Sequence, residues 1–153
     1  MGIEIERKFL VTRIPVDLSC GLFVCQGYML NREDRVVRIR IMGNSGFLTI
    51  KGKTVNTRRW EFEYEIPEPD ARQMLELFCE KPLVEKVRFK IEFKGFEWVI
   101  DQFLGENAGL VLGEIELEHE TQSFEIPPWA GKEVTRDPRY YNSNLICHPY
   151  SAW

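Results

Sequence analysis

The stretch GIEIERKFLV, Gly2–Val11, decides the fold because its apolar and charged residues alternate with a period of two. On an extended strand, successive side chains point to opposite faces. One face therefore holds Ile3, Ile5, Phe9 and Val11, and the other holds Glu4, Glu6 and Lys8. This pattern predicts a β-strand with one apolar face and one ionisable face.

Further segments alternate in the same way, so the sequence predicts about eight strands, joined mostly as hairpins. After Gly2–Val11, strands are predicted at Phe23–Leu30, Arg35–Met42, Gly46–Lys53, Arg58–Ile66, Val84–Phe93, Phe96–Phe103 and Leu112–Glu120. Turn residues separate them, for example Gly43-Asn44-Ser45-Gly46 and Lys94-Gly95, as expected between paired strands.

Two segments depart from this alternation. In PEPDARQMLELF, residues 67–78, apolar residues recur at i, i+3, i+4 and i+7 from Ala71, which predicts an amphipathic helix. After Glu120, several prolines predict a loop, and RYYNSNLICHP, residues 139–149, predicts a short helix.

The composition indicates one folded domain, which we assign to residues 1–153. Hydrophobic residues make up 44% of the chain and charged residues 29%, as in ordinary globular proteins. The formal net charge of −4 argues against general nucleic-acid binding, which needs a basic surface.

No apolar stretch approaches the ~20 residues of a membrane span, and the N-terminus lacks a signal-peptide core. The four cysteines show no C-x-x-C spacing, so we expect a soluble cytoplasmic protein.

The ionisable faces of the predicted strands carry almost no uncharged polar residues. They hold Glu4, Glu6, Lys8, Arg38, Arg40, Lys51, Lys53, Arg59, Glu61, Glu63, Glu65, Lys86, Arg88, Lys90, Asp101, Glu114, Glu116 and Glu118. For a single strand, a solvated charged face is the simpler interpretation. It is weaker for the whole set, because acids dominate the first, fifth and eighth strands and bases the third, fourth and sixth. Like charges on paired strands are destabilising unless something binds between them.

In a closed barrel, these charges would line an interior that can bind a ligand. Eight strands can enclose a lumen that holds a small ligand, and the bases would then form a wall suited to phosphate oxygens. The carboxylate pairs Glu4/Glu6 and Glu114/Glu116 are hard oxygen ligands that suit Mg²⁺ or Mn²⁺. The sequence therefore predicts a phosphate chain bound between carboxylate-held metal and a basic wall.

Six motifs, in chain order, resemble those of a known family. They are EIERK, VRIRI, TIKGK, EFEYEIP, EKVRFKI and GEIELE, and EVTRDPRYYNSNL is similar to the closing motif of short bacterial members. Over nearly its whole length, the chain resembles the CYTH domain, or triphosphate tunnel metalloenzymes. The resemblance implies an eight-stranded antiparallel tunnel, covered by a few helices, that binds a linear triphosphate and transforms it with a divalent metal. The short bacterial inorganic triphosphatases are the most similar members.

The resemblance also implies roles for individual residues. The implied metal ligands are Glu4, Glu6, Glu61, Glu63, Asp101, Glu114 and Glu116. The implied phosphate-binding residues are Lys8, Arg38, Arg40, Lys51, Lys53, Lys86, Arg88 and Lys90. The catalytic set is Glu4, Glu6, Lys8, Glu63 and Glu116. The C-terminal helix often closes one tunnel end in this family, a role implied for residues 139–146, whereas Gln26 and Tyr28 are predicted to serve in core or rim packing.

The predicted function is metal-dependent hydrolysis of inorganic tripolyphosphate, with nucleoside triphosphates as further substrates. The alternatives are a class IV-type adenylyl cyclase, a thiamine triphosphatase, or a non-catalytic module that binds polyphosphate or nucleotides. Both carboxylate pairs argue against the binding module, which needs only the bases. A homodimer is also predicted, because the outer apolar faces exceed what one helix and a tail can cover.

Overall fold

Eight antiparallel strands of the chain close into a barrel. The computed structural model describes residues 2–153, so Met1, the first residue of the predicted domain, lies outside the described residues. The strands are β1 (Gly2–Val11), β2 (Leu22–Asn31), β3 (Arg35–Met42), β4 (Ser45–Gly52), β5 (Arg58–Ile66), β6 (Val84–Phe93), β7 (Phe96–Phe103) and β8 (Val111–Glu116). Around the barrel they follow the order β5-β4-β3-β2-β6-β7-β8-β1, and β1 pairs with β5 to close it. The predicted eight-stranded closed barrel is confirmed.

Strand β1 makes the closure. Its first residues pair with β5, with Ile3 opposite Trp60, and its second half pairs with β8, with Glu6 opposite Glu116. A short strand that the sequence did not predict, β9 (Ala130–Glu133), pairs with the end of β1. The Arg7 side chain of β1 holds β9 in place, because its Nε donates to the Glu133 carboxylate at 2.7 Å.

The end of β8 and the C-terminal tail differ from the prediction, and the bounds of β2, the bounds of β4 and the start of β8 are each off by one residue. Strand β8 ends at Glu116 rather than Glu120, because the Glu118 backbone N–H donates to the Gln122 side chain at 2.7 Å and the chain turns there. The predicted C-terminal helix is absent, and the tail instead has one-turn 3₁₀ segments at Pro138–Tyr140 and Tyr150–Ala152. Between these segments the chain forms only hydrogen-bonded turns, in which the Leu145 N–H donates to the Tyr141 carbonyl oxygen at 3.2 Å and the His148 N–H to that of Asn144 at 3.0 Å. Pro149 ends them, because proline disfavours helical geometry in the residue before it.

Apolar segments cover most of the outward-facing apolar residues. Helix α1 (Glu68–Leu77) lies over β3 and β4, and its buried Ala71 and Leu75 pack in one cluster with Ile39 and Ile41. On the other side, Trp129 packs edge-on against the buried Trp98 of β7, with ring centroids 5.3 Å apart. Each cover extends the hydrophobic core on the outside of the barrel, so the barrel interior is left for other residues. Within residues 2–153, no helix has the length and apolarity needed to cross a membrane.

The C-terminal tail packs into one end of the barrel. By strand parity, the residues at this end that face inward include apolar ones, and they form a buried cluster with Leu145 and Ile146 of the tail. We call this the closed end, defined by Tyr28, Val84, Phe103, Leu112, Leu145 and Ile146. The tail thus blocks one end without forming the α-helix that the sequence predicted.

Replacing Leu145 with alanine should lower the free energy of unfolding by about 2–5 kcal/mol, because a buried leucine leaves a cavity when truncated. Its side chain is 0% exposed. Urea unfolding measures the change, and Leu77→Ala, on the exposed side of α1, is the control and should stay within ~0.5 kcal/mol of the parent. Equal stability of the two variants would contradict the packing of the tail into the closed end.

Candidate active site

Most of the ionisable residues predicted to face inward line one cavity of about 490 Å³. The charged lining residues are Glu4, Glu6, Lys8, Arg38, Arg40, Lys51, Arg59, Glu61, Glu63, Lys86, Arg88, Lys90, Glu97, Glu114 and Glu116. They come from seven strands, because alternation sends every second side chain into the barrel. The charged face of each strand therefore meets a shared enclosed space and not bulk solvent.

Acids predominate on one side of this cavity and bases on the other, and two further bases, Lys8 and Arg59, lie among the acids. Strands β8, β1 and β5 are neighbours and carry the acidic wall, which we define as Glu4, Glu6, Glu61, Glu114 and Glu116. Strands β4, β3, β2 and β6 are the next neighbours, and all of them except β2 contribute to the basic wall, defined as Arg38, Arg40, Lys51, Lys86 and Arg88. The segregation by strand that the sequence suggests thus becomes a segregation in space.

Glu4 lies at the junction of the two walls. Its carboxylate accepts from Arg59 Nε at 2.9 Å and lies 3.4 Å from Lys51 Nζ. Burial raises the pKa of Glu4, but the Lys51 ammonium and the Arg59 guanidinium outweigh it and lower that pKa to about 2. Lys51 also lies 2.6 Å from Glu61, so one ammonium is shared by two carboxylates. Glu4 is therefore ionised at any physiological pH.

Glu114 and Lys8 form a second pair across β8 and β1. The Lys8 ammonium lies 3.2 Å from the Glu114 carboxylate, and both residues sit in register on adjacent strands. Although burial opposes it, the charges of Lys8 and Lys86 hold the pKa of Glu114 far below its usual range. Burial likewise opposes the charge on Lys8, but Glu114 and Glu6 raise its pKa.

Glu6 and Glu116 lie on adjacent strands, and within residues 2–153 no cation comes closer than 4.0 Å to either carboxylate. They are register partners on β1 and β8, and the nearest ammonium to Glu6, that of Lys8, is 4.0 Å away. Burial and the charges of Glu114 and Glu4 raise the pKa of Glu6 to about 8. Burial and the charges of Glu4 and Glu61 also raise the pKa of Glu116.

These two carboxylates fit a divalent cation. The charges of Glu114 and Glu4 oppose ionisation of Glu6, and those of Glu4 and Glu61 oppose ionisation of Glu116. A bound cation would remove this repulsion. The donor set of the acidic wall is entirely oxygen, which suits a hard cation such as Mg²⁺ or Mn²⁺. Among residues 2–153, no three acidic, histidine or cysteine side chains converge into a ready-made coordination sphere, so additional ligands would come from water and substrate.

The basic wall is organised by Glu63 of β5. Its carboxylate accepts from Arg40 at 3.0 Å, from Arg38 at 3.2 Å and from the Thr49 hydroxyl at 2.7 Å. Burial raises the pKa of Glu63, but Arg40, Thr49 and Arg38 outweigh it and lower that pKa. Glu63 therefore sits with the arginines, where it orients their guanidinium groups toward the cavity.

Asp101 does not join the acidic wall, which corrects the prediction that it is a metal ligand. It is fully buried and does not line the cavity. One carboxylate oxygen lies 2.7 Å from Lys86 Nζ, and the same group accepts from Arg88 Nε at 2.8 Å. Because both of its oxygens are taken by bases, Asp101 supports the basic wall from behind.

Two predicted phosphate-binding residues lie away from the cavity interior. The Lys53 ammonium is 3.0 Å from Glu33, both side chains are largely exposed, and Lys53 does not line the cavity. Lys90 lines the cavity but pairs with Glu97 at 3.2 Å, and its side chain is 60% exposed, so it lies at the open mouth. Strand parity gives the correct side for both residues but not their depth, because Lys53 falls past the last residue of β4.

The chain matches the CYTH domain family model over residues 23–146. The chain belongs to the CYTH domain family. Two curated relatives, both named inorganic triphosphatase, cover nearly its full length: one from Acetivibrio thermocellus is 50% identical over 98% of this chain and 97% of its own, and one from Nitrosomonas europaea is 38% identical over 93% and 95%. The crystal structure of the inorganic triphosphatase NE1496 superposes with a TM-score of 0.67 at 35% identity, covering 94% of this chain and 93% of that one.

Several residues of this CYTH domain to which the motifs assigned no role lie in or beside the cavity. Thr49, the first residue of the TIKGK motif, does not line the cavity itself but donates to the Glu63 carboxylate at 2.7 Å. Tyr28, assigned to packing, lines the cavity, while Gln26 is fully buried and donates to the Tyr28 hydroxyl at 2.9 Å. Tyr141 and Asn142 of the tail line it as well, and no sequence periodicity signals that position.

In the metal-free CYTH domain, Glu6→Gln should raise the melting temperature more at pH 8 than at pH 5. The pKa of Glu6 is raised from 4.5 to about 8 in the folded protein, so the folded state binds this proton more tightly than the unfolded state does. The stability that this bound proton gives the folded state is complete below pH 4.5 and is lost as the pH rises toward 8. Glutamine cannot ionise, so the variant does not lose this stability and its advantage over the parent grows with pH.

Melting curves of parent and variant in a chelator, recorded from pH 5 to 8, measure the difference between them. Taking this difference removes the contribution of the other titrating groups. The exposed Glu65→Gln is the control and should show no such trend. A difference that stays constant or shrinks with rising pH would contradict the environment described for Glu6.

Proposed function

We propose that this CYTH domain is a divalent-metal-dependent inorganic triphosphatase, which hydrolyses tripolyphosphate in the cavity. The observation that carries the proposal is the pair of opposed walls, acidic and basic, on either side of one enclosed space. A phosphate chain needs cations on all sides, and the basic wall supplies them on one side only. The relatives named inorganic triphosphatase share nearly the whole length of the chain, which supports the same assignment.

The basic wall would bind and orient the phosphate chain. Arg38, Arg40 and Arg88 present planar guanidinium groups that suit pairs of phosphate oxygens, and Lys51 and Lys86 act as point charges. In the structure these bases already pair with carboxylates, so phosphate oxygens would take over some of those contacts. Lys8 extends into the acidic wall and would neutralise charge on the transferring phosphoryl group.

The acidic wall would hold the metal through Glu4, Glu6, Glu114 and Glu116, with Glu61 beside them. Mg²⁺ and Mn²⁺ both suit this oxygen set; when bound, such an ion polarises phosphoryl oxygens and lowers the pKa of a coordinated water. Glu63 would keep Arg38 and Arg40 aimed at the substrate. No nucleophilic side chain is needed, because water is the attacking group in phosphoanhydride hydrolysis.

The parent protein should release phosphate from tripolyphosphate only with Mg²⁺ or Mn²⁺ present. Glu116→Ala, which removes an acidic-wall carboxylate, and Lys51→Ala, which removes a basic-wall ammonium, should each lower kcat/KM by about 10²-fold or more. Lys53→Ala, two residues along the chain from Lys51 but outside the cavity, should stay within about threefold of the parent. A phosphate-release assay measures all three variants.

Metal-independent hydrolysis, or a fully active Glu116→Ala variant, would contradict the site assignment. Product analysis separates the alternatives, since an adenylyl cyclase makes cyclic AMP and pyrophosphate from ATP. Tight tripolyphosphate binding without turnover would instead favour the binding module, and faster turnover of thiamine triphosphate would favour that substrate.

We also propose that the protein forms a homodimer through the outside of β5. Trp60, Phe62 and Tyr64 are 57%, 39% and 48% exposed, and the Trp60 and Phe62 rings stack with centroids 6.2 Å apart. Neither α1 nor the tail covers this face. The exposed Arg58 precedes these aromatic residues and the exposed Asp70 follows them, so a two-fold arrangement would bring opposite charges together at both ends. For the compartment, we propose the cytoplasm, as the sequence predicts.

Trp60→Glu should convert the dimer into a monomer, because a charge within an apolar interface is costly to bury. Sedimentation velocity measures the mass of parent and variant at the same concentrations. Leu77→Glu changes a leucine on α1 that is 66% exposed and should leave the mass unchanged. A monomeric parent at high concentration would refute this interface.

A further inference from the structure

The tail places one polar side chain inside the barrel beside the basic wall. Asn142 lines the cavity, and its Oδ1 accepts from Lys86 Nζ at 2.8 Å and from Gln26 Nε2 at 3.3 Å. Lys86 and Gln26 are 1% and 0% exposed. This contact occurs next to the closed end, where the tail packs into the barrel.

The chemistry of the two donors fixes how the Asn142 amide points. A lysine ammonium can only donate, so the oxygen of Asn142 must face Lys86 and the NH₂ group must point elsewhere. Within residues 2–153, Asn142 Nδ2 makes no hydrogen bond, and it is not among the buried polar atoms that lack a partner. It is therefore an accessible donor on a side chain that lines the cavity.

The surroundings of this donor favour an anion. Lys86 lies next to Asn142, with Arg88 sharing its Asp101 partner. Lys8 reaches the same segment, because its ammonium donates to the Tyr140 carbonyl oxygen at 3.4 Å. A phosphate group at this position would meet both an uncharged donor and nearby cations, as phosphate sites in proteins commonly provide.

We infer that Asn142 is a substrate-binding residue, whose Nδ2 donates to the phosphate group nearest the closed end while its Oδ1 holds Lys86 in place. This inference rests on the proposed function, since it assumes that a phosphate chain occupies the cavity. It gives residues 141–143 a part in substrate binding beyond closing one end of the barrel. Asn142 thereby adds a neutral donor to the charged residues that bind the chain.

Two substitutions of Asn142 test whether this residue binds phosphate or only holds Lys86 in place. Asn142→Ala removes both the donor and the acceptor, and it should weaken tripolyphosphate binding about tenfold or more. Asn142→Asp keeps an oxygen for Lys86 but replaces the donor with a second oxygen that repels phosphate. It should therefore bind more weakly than Asn142→Ala, whereas a residue that only supports Lys86 would show the reverse order.

Calorimetry with tripolyphosphate in metal-free buffer gives the affinities, and kinetics with Mg²⁺ should show the same ranking in KM. Asn144→Ala is the matched control, because Asn144 lies in the same tail but donates to the Pro138 carbonyl oxygen, away from the cavity. It should bind like the parent. Melting curves establish that each variant is folded.

A measurement on the parent covers the case in which Asn142→Asp does not fold. The side-chain amide signal of Asn142 in ¹⁵N-labelled protein should move on addition of tripolyphosphate, and that of Asn144 should not. An unmoved Asn142 signal, or Asn142→Asp binding as tightly as Asn142→Ala, would overturn the inference. If the parent binds tripolyphosphate but does not hydrolyse it, the proposed function fails while the affinity ranking still decides the role of Asn142. If binding needs Mg²⁺, the ranking in KM decides that role, and a parent that binds tripolyphosphate neither in metal-free buffer nor with Mg²⁺ overturns both.

Discussion

The pairing of β1 with both β5 and β8 is the constraint on which the rest of the structure depends. Once Ile3 lies opposite Trp60 and Glu6 opposite Glu116, alternation commits every second residue of β1 to an enclosed space. The carboxylates of three adjacent strands then crowd together. Such crowding is tolerable only if cations lie nearby, and the strands across the barrel provide them. One sheet geometry therefore closes the barrel and separates the acidic wall from the basic wall. The same geometry makes the cavity fit a phosphate chain that binds to bases on one side and to a metal on the other.

The outward apolar faces of the strands stabilise the fold, and the inward charged faces form the candidate active site. Burying paired charges contributes little net stability, because desolvation offsets most of the attraction. The apolar clusters around Trp98 on one side and beneath α1 on the other supply the hydrophobic burial. Because these clusters lie outside the barrel, the interior can keep unfavourable neighbours such as Glu6 and Glu114. That arrangement differs from an ordinary small barrel, whose interior is filled with apolar side chains.

The strands of the barrel were predictable from sequence because period-two alternation is a local property, and β1, β3, β5, β6 and β7 have the predicted bounds. The order of the strands around the barrel was not predictable from sequence, because the pairing of β2 with β6 joins distant parts of the chain. Only this order places the acidic strands side by side. Depth along the barrel was also unpredictable. Asp101 and Lys53 have the correct parity, yet one is enclosed by bases and the other lies outside. The inward position of Asn142 depends on how an irregular tail packs, which leaves no periodic signal.

The closed end has a consequence for the order in which molecules pass through the barrel. A linear ligand cannot pass straight along the barrel through the apolar cluster formed by Leu145 and Ile146 with the strand ends, so a ligand that enters by the mouth near Lys90 and Glu97 leaves by the same mouth. Whatever group enters first travels furthest and departs last. Of two fragments made inside, the outer one must clear the mouth before the inner one can follow. The tail thus blocks one end of the barrel, and for fragments that leave by the mouth it imposes an order of release that no individual contact encodes.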